Sequence, residues 1–261
     1  MAFTVHAVMP GVWHIVDCMG VCMTLLEGEN AAMLVDTGYG IEDVADFMRH
    51  MTDLPLTVFL THNHHDHAMG ARCFPETYML EADMADWRMF TDDKMRRRVL
   101  TQAIGKNLPV DEKTFLAGEI PLPKVMKPGV IDLGGLTAEI IEAPGHTPGS
   151  AVAYVPERKL LLSGDDWNPC TWLFFPQALG LREYRSNMRG IQQLPFEKVL
   201  CPHREALYDR WMFDDFFNAL TDGNLRAAEP VNIAPYEQID TCQATLPHDQ
   251  VLVFDWAKSG L

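Results

Sequence analysis

The hydrophobic pattern divides the chain into short strands, a few helices and long polar connections. Three early segments, "GVWHIVD", "VCMTLLEG" and "NAAMLVDTG", are rich in β-branched and apolar residues and are broken by Gly and Asn, which predicts strands. In "IEDVADFMRHM" the period changes: Ile41, Val44, Ala45, Phe47 and Met48 fall at helical spacing. "LTVFL" at 56–60 is short and wholly apolar apart from Thr57, as a buried strand is. Residues 81–105 read as helical and 107–129 as a loop rich in Pro and Gly. From 136 to 166 the pattern is strand, loop, strand, turn, strand, with "PERK" as the turn. Helices are predicted at 181–193 and 205–222, with a short strand "KVL" at 198–200 between them and a last strand in "QVLVFDW".

No fixed repeat period and no low-complexity linker interrupts this order. Two strands end alike, "MLVDTG" at 33–38 and "LLSGDD" at 161–166, each placing an aspartate just past a buried strand. The likeness suggests two similar α/β halves facing one another. Blocks of strands with helices between them predict a sheet-on-sheet core covered by helices. A chain of 261 residues is large enough for one such domain, with a core over about 5–205 and a helical and strand extension over about 206–261.

Composition removes several classes of function. The formal net charge of −15 repels phosphate backbones, so nucleic acid is a poor partner. No run approaches the ~18 apolar residues of a membrane span. The N-terminus lacks a basic region ahead of an apolar one, which predicts a cytoplasmic protein. Six scattered cysteines form no dense framework and are expected to be reduced.

The chemistry gathers in "THNHHDHAMG" at 61–70, where four histidines and an aspartate fall within the six positions from His62 to His67. In an extended segment His62, His64 and Asp66 share one face, while Asn63 and His65 take the other. A turn into helix near Asp66 swings His67 back towards the first face. The segment then offers two imidazoles to one metal, and a carboxylate with an imidazole to a second ion roughly 3.5–4 Å away. More ligands must come from distant strand ends, since a catalytic zinc takes three protein ligands and leaves a position open. His146 in "APGHTPGS", Asp165 in "LLSGDD" and His203 in "VLCPHRE" are the candidates.

This arrangement resembles the metallo-β-lactamase superfamily. The matching pieces are "LVDTG" at 34–38, "THNHHDH" at 61–67, "PGHTPGS" at 144–150, "SGD" at 163–165 and "PH" at 202–203, in the family's order. The resemblance implies a four-layer αββα sandwich with two metals at one edge of the paired sheets. It implies that His62, His64 and His146 hold one metal, that Asp66, His67 and His203 hold the other, and that Asp165 bridges them. Asp36 would buttress a ligand histidine from behind. Asp166 is the rival of Asp165, which the SGD pattern favours. His203 departs from the family's glycine-flanked context, lying between Pro202 and Arg204.

The expected chemistry is hydrolysis by a metal-bound hydroxide, with Asp66 orienting the nucleophile or passing its proton. The cofactors are two divalent ions, zinc by default, with iron or manganese as alternatives. The expected partner is a small molecule bearing an ester, thioester or lactone. The competing reading is a non-hydrolytic member, such as a mononuclear-iron persulfide dioxygenase or a ligand-binding protein. Trp167, Trp172, Phe174 and Phe175 follow Asp165 directly and are expected to wall an apolar pocket, with Pro169 and Pro176 favouring a shaped loop. The run Lys94, Arg96, Arg97 and Arg98 suits an anionic group, although such runs more commonly form a solvated helix face.

Overall fold

A computed structural model describes residues 3–261. Seven strands form the first sheet in chain order: β1 (Thr4–Met9), β2 (Val12–Val16), β3 (Cys22–Glu27), β4 (Ala32–Val35), β5 (Leu56–Phe59), β6 (Tyr78–Met79) and β7 (Lys124–Val125). The pairs from β1 to β4 are antiparallel, and those from β4 to β7 are parallel. The parallel pairs need crossovers. These carry the helices α1 (Val44–Met51), α2 (His65–Ala68), α3 (Trp87–Thr91), α4 (Asp93–Gly105) and α5 (Glu112–Phe115). Asp43 starts α1 by accepting a hydrogen bond from the Asp46 amide, and Val44, Ala45 and Met48 give it a buried stripe.

The second half begins with β8 (Gly129–Asp132), β9 (Thr137–Glu142), β10 (Ala151–Val155) and β11 (Leu160–Leu162). The strand β12 (Cys170–Leu173) then leaves the sheet, and helix α6 (Leu181–Gln192) leads to β13 (Lys198–Leu200) and β14 (Tyr208–Asp209). The second sheet has the order β14-β13-β11-β10-β9-β8, with β11 and β13 parallel. Helices α7 (Arg210–Ala219) and α8 (Asp222–Arg226) follow, then β15 (Glu229–Pro230), β16 (Thr241–Leu246) and β17 (Gln250–Asp255).

Alternation along the central strands shows how the layers stack. Met33, Val35 and Phe59 of the first sheet meet Ala151, Ala153, Leu160, Leu162 and Leu200 of the second in one buried cluster. Their neighbours point the other way. Leu34 and Val58 pack with Val44 and Met48 of α1. Val152, Leu161 and Val199 pack with Tyr184 and Met188 of α6 and with Phe213 and Phe216 of α7. The order helix, sheet, sheet, helix is therefore the four-layer αββα sandwich. Such strands must be apolar on both faces, which is why they read as continuous apolar runs.

Three local expectations are corrected. Cys170–Leu173 is not loop: it forms β12 and pairs in parallel with β17, beside β16 and β15, in a third sheet. Pro169 and Pro176 bracket that strand rather than interrupt it, so its amides stay free to pair. The helix expected at 205–222 begins only at Arg210, because Tyr208 and Asp209 first pair with Val199 and Lys198. The basic run is not one face. Arg96 is buried and donates to the carbonyls of Phe115, Ala117 and Gly118, tying α4 to the segment after α5, while Lys94, Arg97 and Arg98 are exposed.

Candidate metal centre

The candidate residues leave the two sheets at one common edge. Asp36 follows β4, the histidine cluster follows β5, and His146 lies between β9 and β10. Asp165 follows β11 and His203 follows β13. The carboxyl ends of parallel strands in an α/β sheet form such a crevice. Local backbone aims the side chains. Asp36 takes the left-handed region at φ 65, and Gly164, at φ 52, turns the chain so that Asp165 faces the first sheet. His64 is extended and α2 begins at His65, so Asp66 and His67 face the same centre.

Three groups of donors come within 4.8 Å of one another: His62, His64 and His146; His62, His67 and Asp165; and Asp66, His67 and His203. Asp165 lies at the centre. Its Oδ2 is 3.5 Å from Nε2 of His67 and of His146, 3.1 Å from Nε2 of His203 and 4.0 Å from Nε2 of His62. Asp66 Oδ2 lies 3.7 Å from Nε2 of both His67 and His203.

Hydrogen bonds behind the imidazoles set their tautomers. His67 Nδ1 donates to Asp36 at 3.0 Å, and His146 Nδ1 donates to the Trp172 carbonyl at 2.6 Å. The Thr61 hydroxyl donates to Asp36 and accepts from His62 Nδ1 at 3.1 Å. Each arrangement leaves an Nε2 lone pair facing inward. His64 is turned the other way: its Nδ1 lies 2.8 Å from His146 Nε2, and its Nε2 meets the Gln177 side-chain amide at 2.7 Å.

The donors fit divalent ions. His62 Nε2, His67 Nε2 and Asp165 Oδ1 are buried polar atoms with no hydrogen-bond partner, an arrangement that is costly unless something completes them. Burial and neighbouring imidazoles hold His62 and His64 well below the usual imidazole range, in the neutral form a metal requires. Burial also lowers His146, against the pull of Asp165. For His67 and His203 burial acts in the same direction but is overcome, chiefly by Asp165, and both are raised. Asp66 falls to about 2, because His67, His65 and His203 outweigh its burial.

Asp166 sits apart from these groups. Its Oδ1 accepts from the His146 amide at 2.9 Å, and burial pushes its carboxyl well above the usual range. His65 does not point outward as its parity suggested. The helical start at His65 ends the alternation, and the ring stands edge-on to Tyr39 at 5.5 Å, at the rim of the cavity.

The centre opens into a cavity of about 460 Å³. Trp172 and Phe175 line it, but Trp167 and Phe174 do not. Trp167 is fully buried against Tyr208 and Phe213, and Phe174 is buried with its ring stacked on Phe175. Other walls come from outside that aromatic stretch. Phe90, Arg98 and Gln102 come from α3 and α4, and Tyr236 from the C-terminal segment.

The model of the metallo-beta-lactamase superfamily matches residues 16–203, and the chain belongs to that superfamily. A search of curated proteins found no match. Among solved structures, a metallo-beta-lactamase family protein from Thermus thermophilus is 19% identical with a TM-score of 0.60, covering 85% of this chain and 82% of its own. The stereoselective inverting sec-alkylsulfatase of Pseudomonas sp. is 15% identical with a TM-score of 0.63, over 86% of this chain and 43% of its own. A protein solved in a di-iron-bound form is 20% identical with a TM-score of 0.53, over 76% of this chain and 94% of its own. At these identities the likeness is one of fold.

Proposed function

We propose that the protein is a dinuclear metal-dependent hydrolase acting on a small-molecule ester, thioester or lactone. The observation that carries this reading is the position of Asp165, whose carboxylate stands within 4.0 Å of four imidazoles belonging to both ligand groups. His62, His64 and His146 would hold one ion, and Asp66, His67 and His203 the other, with Asp165 between. Zinc is the default occupant, with iron or manganese as alternatives. Two divalent ions held there supply Lewis acidity and a water nucleophile near neutral pH, where bound water has a pKa of about 7.

The chain's own groups do the rest. Asp66 turns Oδ2 towards His67 and His203, and its Oδ1 lies 3.8 Å from His65 Nδ1. The His65 imidazole stands beside Asp66 at the same cavity, beyond direct hydrogen-bonding distance. Trp172 and Phe175 shield one side of the centre from water, which strengthens the electrostatic interactions within it.

Elemental analysis of the purified protein, beside a panel of esters, thioesters and lactones, tests the proposal. Two metals per chain are expected, with hydrolysis lost on chelation and restored by metal. Asp165→Asn is expected to lower both metal content and turnover. Asp166→Asn is expected to leave both nearly intact, since an amide oxygen still accepts from the His146 amide. One metal per chain after supplementation, or equal effects of the two substitutions, would sink it.

A further inference from the structure

The basic run of α4 is divided by the fold, and one member faces the cavity. Arg96 is consumed by carbonyls, and neither Lys94 nor Arg97 reaches the cavity. Arg98 and Gln102, one helical turn apart, do line it. Arg49, Arg88, Arg96, Arg185 and Arg210 each have a carboxylate within 4.0 Å, whereas among the described residues Arg98 has none. Tyr39 and His65 line the same cavity.

We infer that Arg98, with Gln102 beside it, is the subsite for an anionic group of the substrate, so that the substrate is a small amphiphilic anion. The anion is a carboxylate or another oxyanion of like geometry, and the apolar portion lies against Phe90, Trp172, Phe175 and Tyr236. The inference rests on the metal-dependent hydrolase reading for the position of the reacting bond. A planar guanidinium carries a fork of donors suited to an oxyanion, and Gln102 adds a neutral donor. The cavity's two carboxylates, Asp66 and Asp165, are matched by two arginines, Arg98 and Arg204, so each divalent ion added leaves the cavity positive. Arg204 is partly committed, donating to the His203 carbonyl at 2.7 Å, which leaves Arg98 as the free partner. On a chain of net charge −15 such a cavity is a local reversal of sign that draws anions inward.

The test measures binding rather than turnover, so it fails separately from the hydrolase reading. Zinc-loaded protein is titrated by calorimetry with alkyl hydroxamates of increasing length and with the matching diacid monohydroxamates. Both series carry the same metal-binding head, and only the second carries a terminal carboxylate. At the length that spans the cavity, the carboxylate should tighten binding about tenfold, the size of one charge-assisted hydrogen bond. Arg98→Gln should abolish that preference and leave the neutral series unchanged. Arg98→Lys should retain part of it, and Arg97→Gln, on the same helix, should change neither series. A preference that survives Arg98→Gln, or equal affinities of the two series at every length, overturns the inference.

Discussion

Asp83 accepts a hydrogen bond of 2.7 Å from Thr147 Oγ1, joining segments 64 residues apart in sequence. The same carboxylate accepts from the amides of Asn63 at 3.1 Å and Gly149 at 2.6 Å. It therefore ties the loop carrying His62 and His64 to the loop carrying His146. Gly149 has to be glycine for this contact, because a Cβ there would meet the Asp83 amide nitrogen at 2.6 Å.

Asp83→Ala should loosen both loops together. It leaves the buried Asn63 and Gly149 amides without an acceptor, each costing ~1–3 kcal/mol though not additively, while the Thr147 hydroxyl keeps only Ser150 Oγ. Metal affinity should fall about 10–100-fold, as when groups that orient ligands are removed. Chelator competition and thermal melting measure the two effects. A variant that melts lower but holds its metals with unchanged affinity would show that Asp83 supports the fold alone.

Metal uptake should release protons. His67 and His203 are raised in the metal-free protein, chiefly by Asp165, but a ligand nitrogen must be neutral. Near pH 7, protons should leave as the second site fills. Calorimetric titration with zinc in buffers of different ionisation enthalpy counts them, and a count of zero would contradict the assigned ligands. The sign for stability follows from linkage. Raised imidazoles stabilise the metal-free fold below their unfolded value of 6.5, and this is lost as pH rises through their folded values. The metal-loaded protein should lack that alkaline decline, because its imidazoles are already neutral.

The site was more legible in the sequence than the cavity. HxHxDH and the aspartates past β4 and β11 are local patterns, in which strand parity and the onset of α2 decide where each side chain points. Asp83 and Gln177 act through partners far along the chain, and nothing adjacent to them marks that role. The layers followed from apolar runs at β4, β5, β10 and β11. The pairing of β12 with β17 did not, because strands so distant reveal no register. Arg98 was visible within its basic run, yet helix periodicity alone could not tell which of its neighbours would face a cavity formed by other elements.

Trp167 and Trp172 give the sharpest division within one segment. Both lie in the aromatic stretch after Asp165, but Trp167 is fully buried and Trp172 is 39% exposed. Trp167→Ala opens a void beside Tyr208 and Phe213 and should cost about 3–5 kcal/mol, with metal content of the surviving folded protein unchanged. Trp172→Ala removes a side chain whose ring faces the cavity, while its backbone carbonyl still holds His146 Nδ1. It should lower kcat/KM on substrates with a large apolar portion by about tenfold, roughly the worth of an aromatic contact. Substrates with a small acyl group should be nearly unaffected, and the melting temperature should shift little. Thermal melts with kinetics on a short and a long acyl ester separate the two cases. A Trp172→Ala protein that melts several degrees lower, with its preference between short and long substrates intact, would return Trp172 to the core and leave the cavity wall to Phe175 and Tyr236.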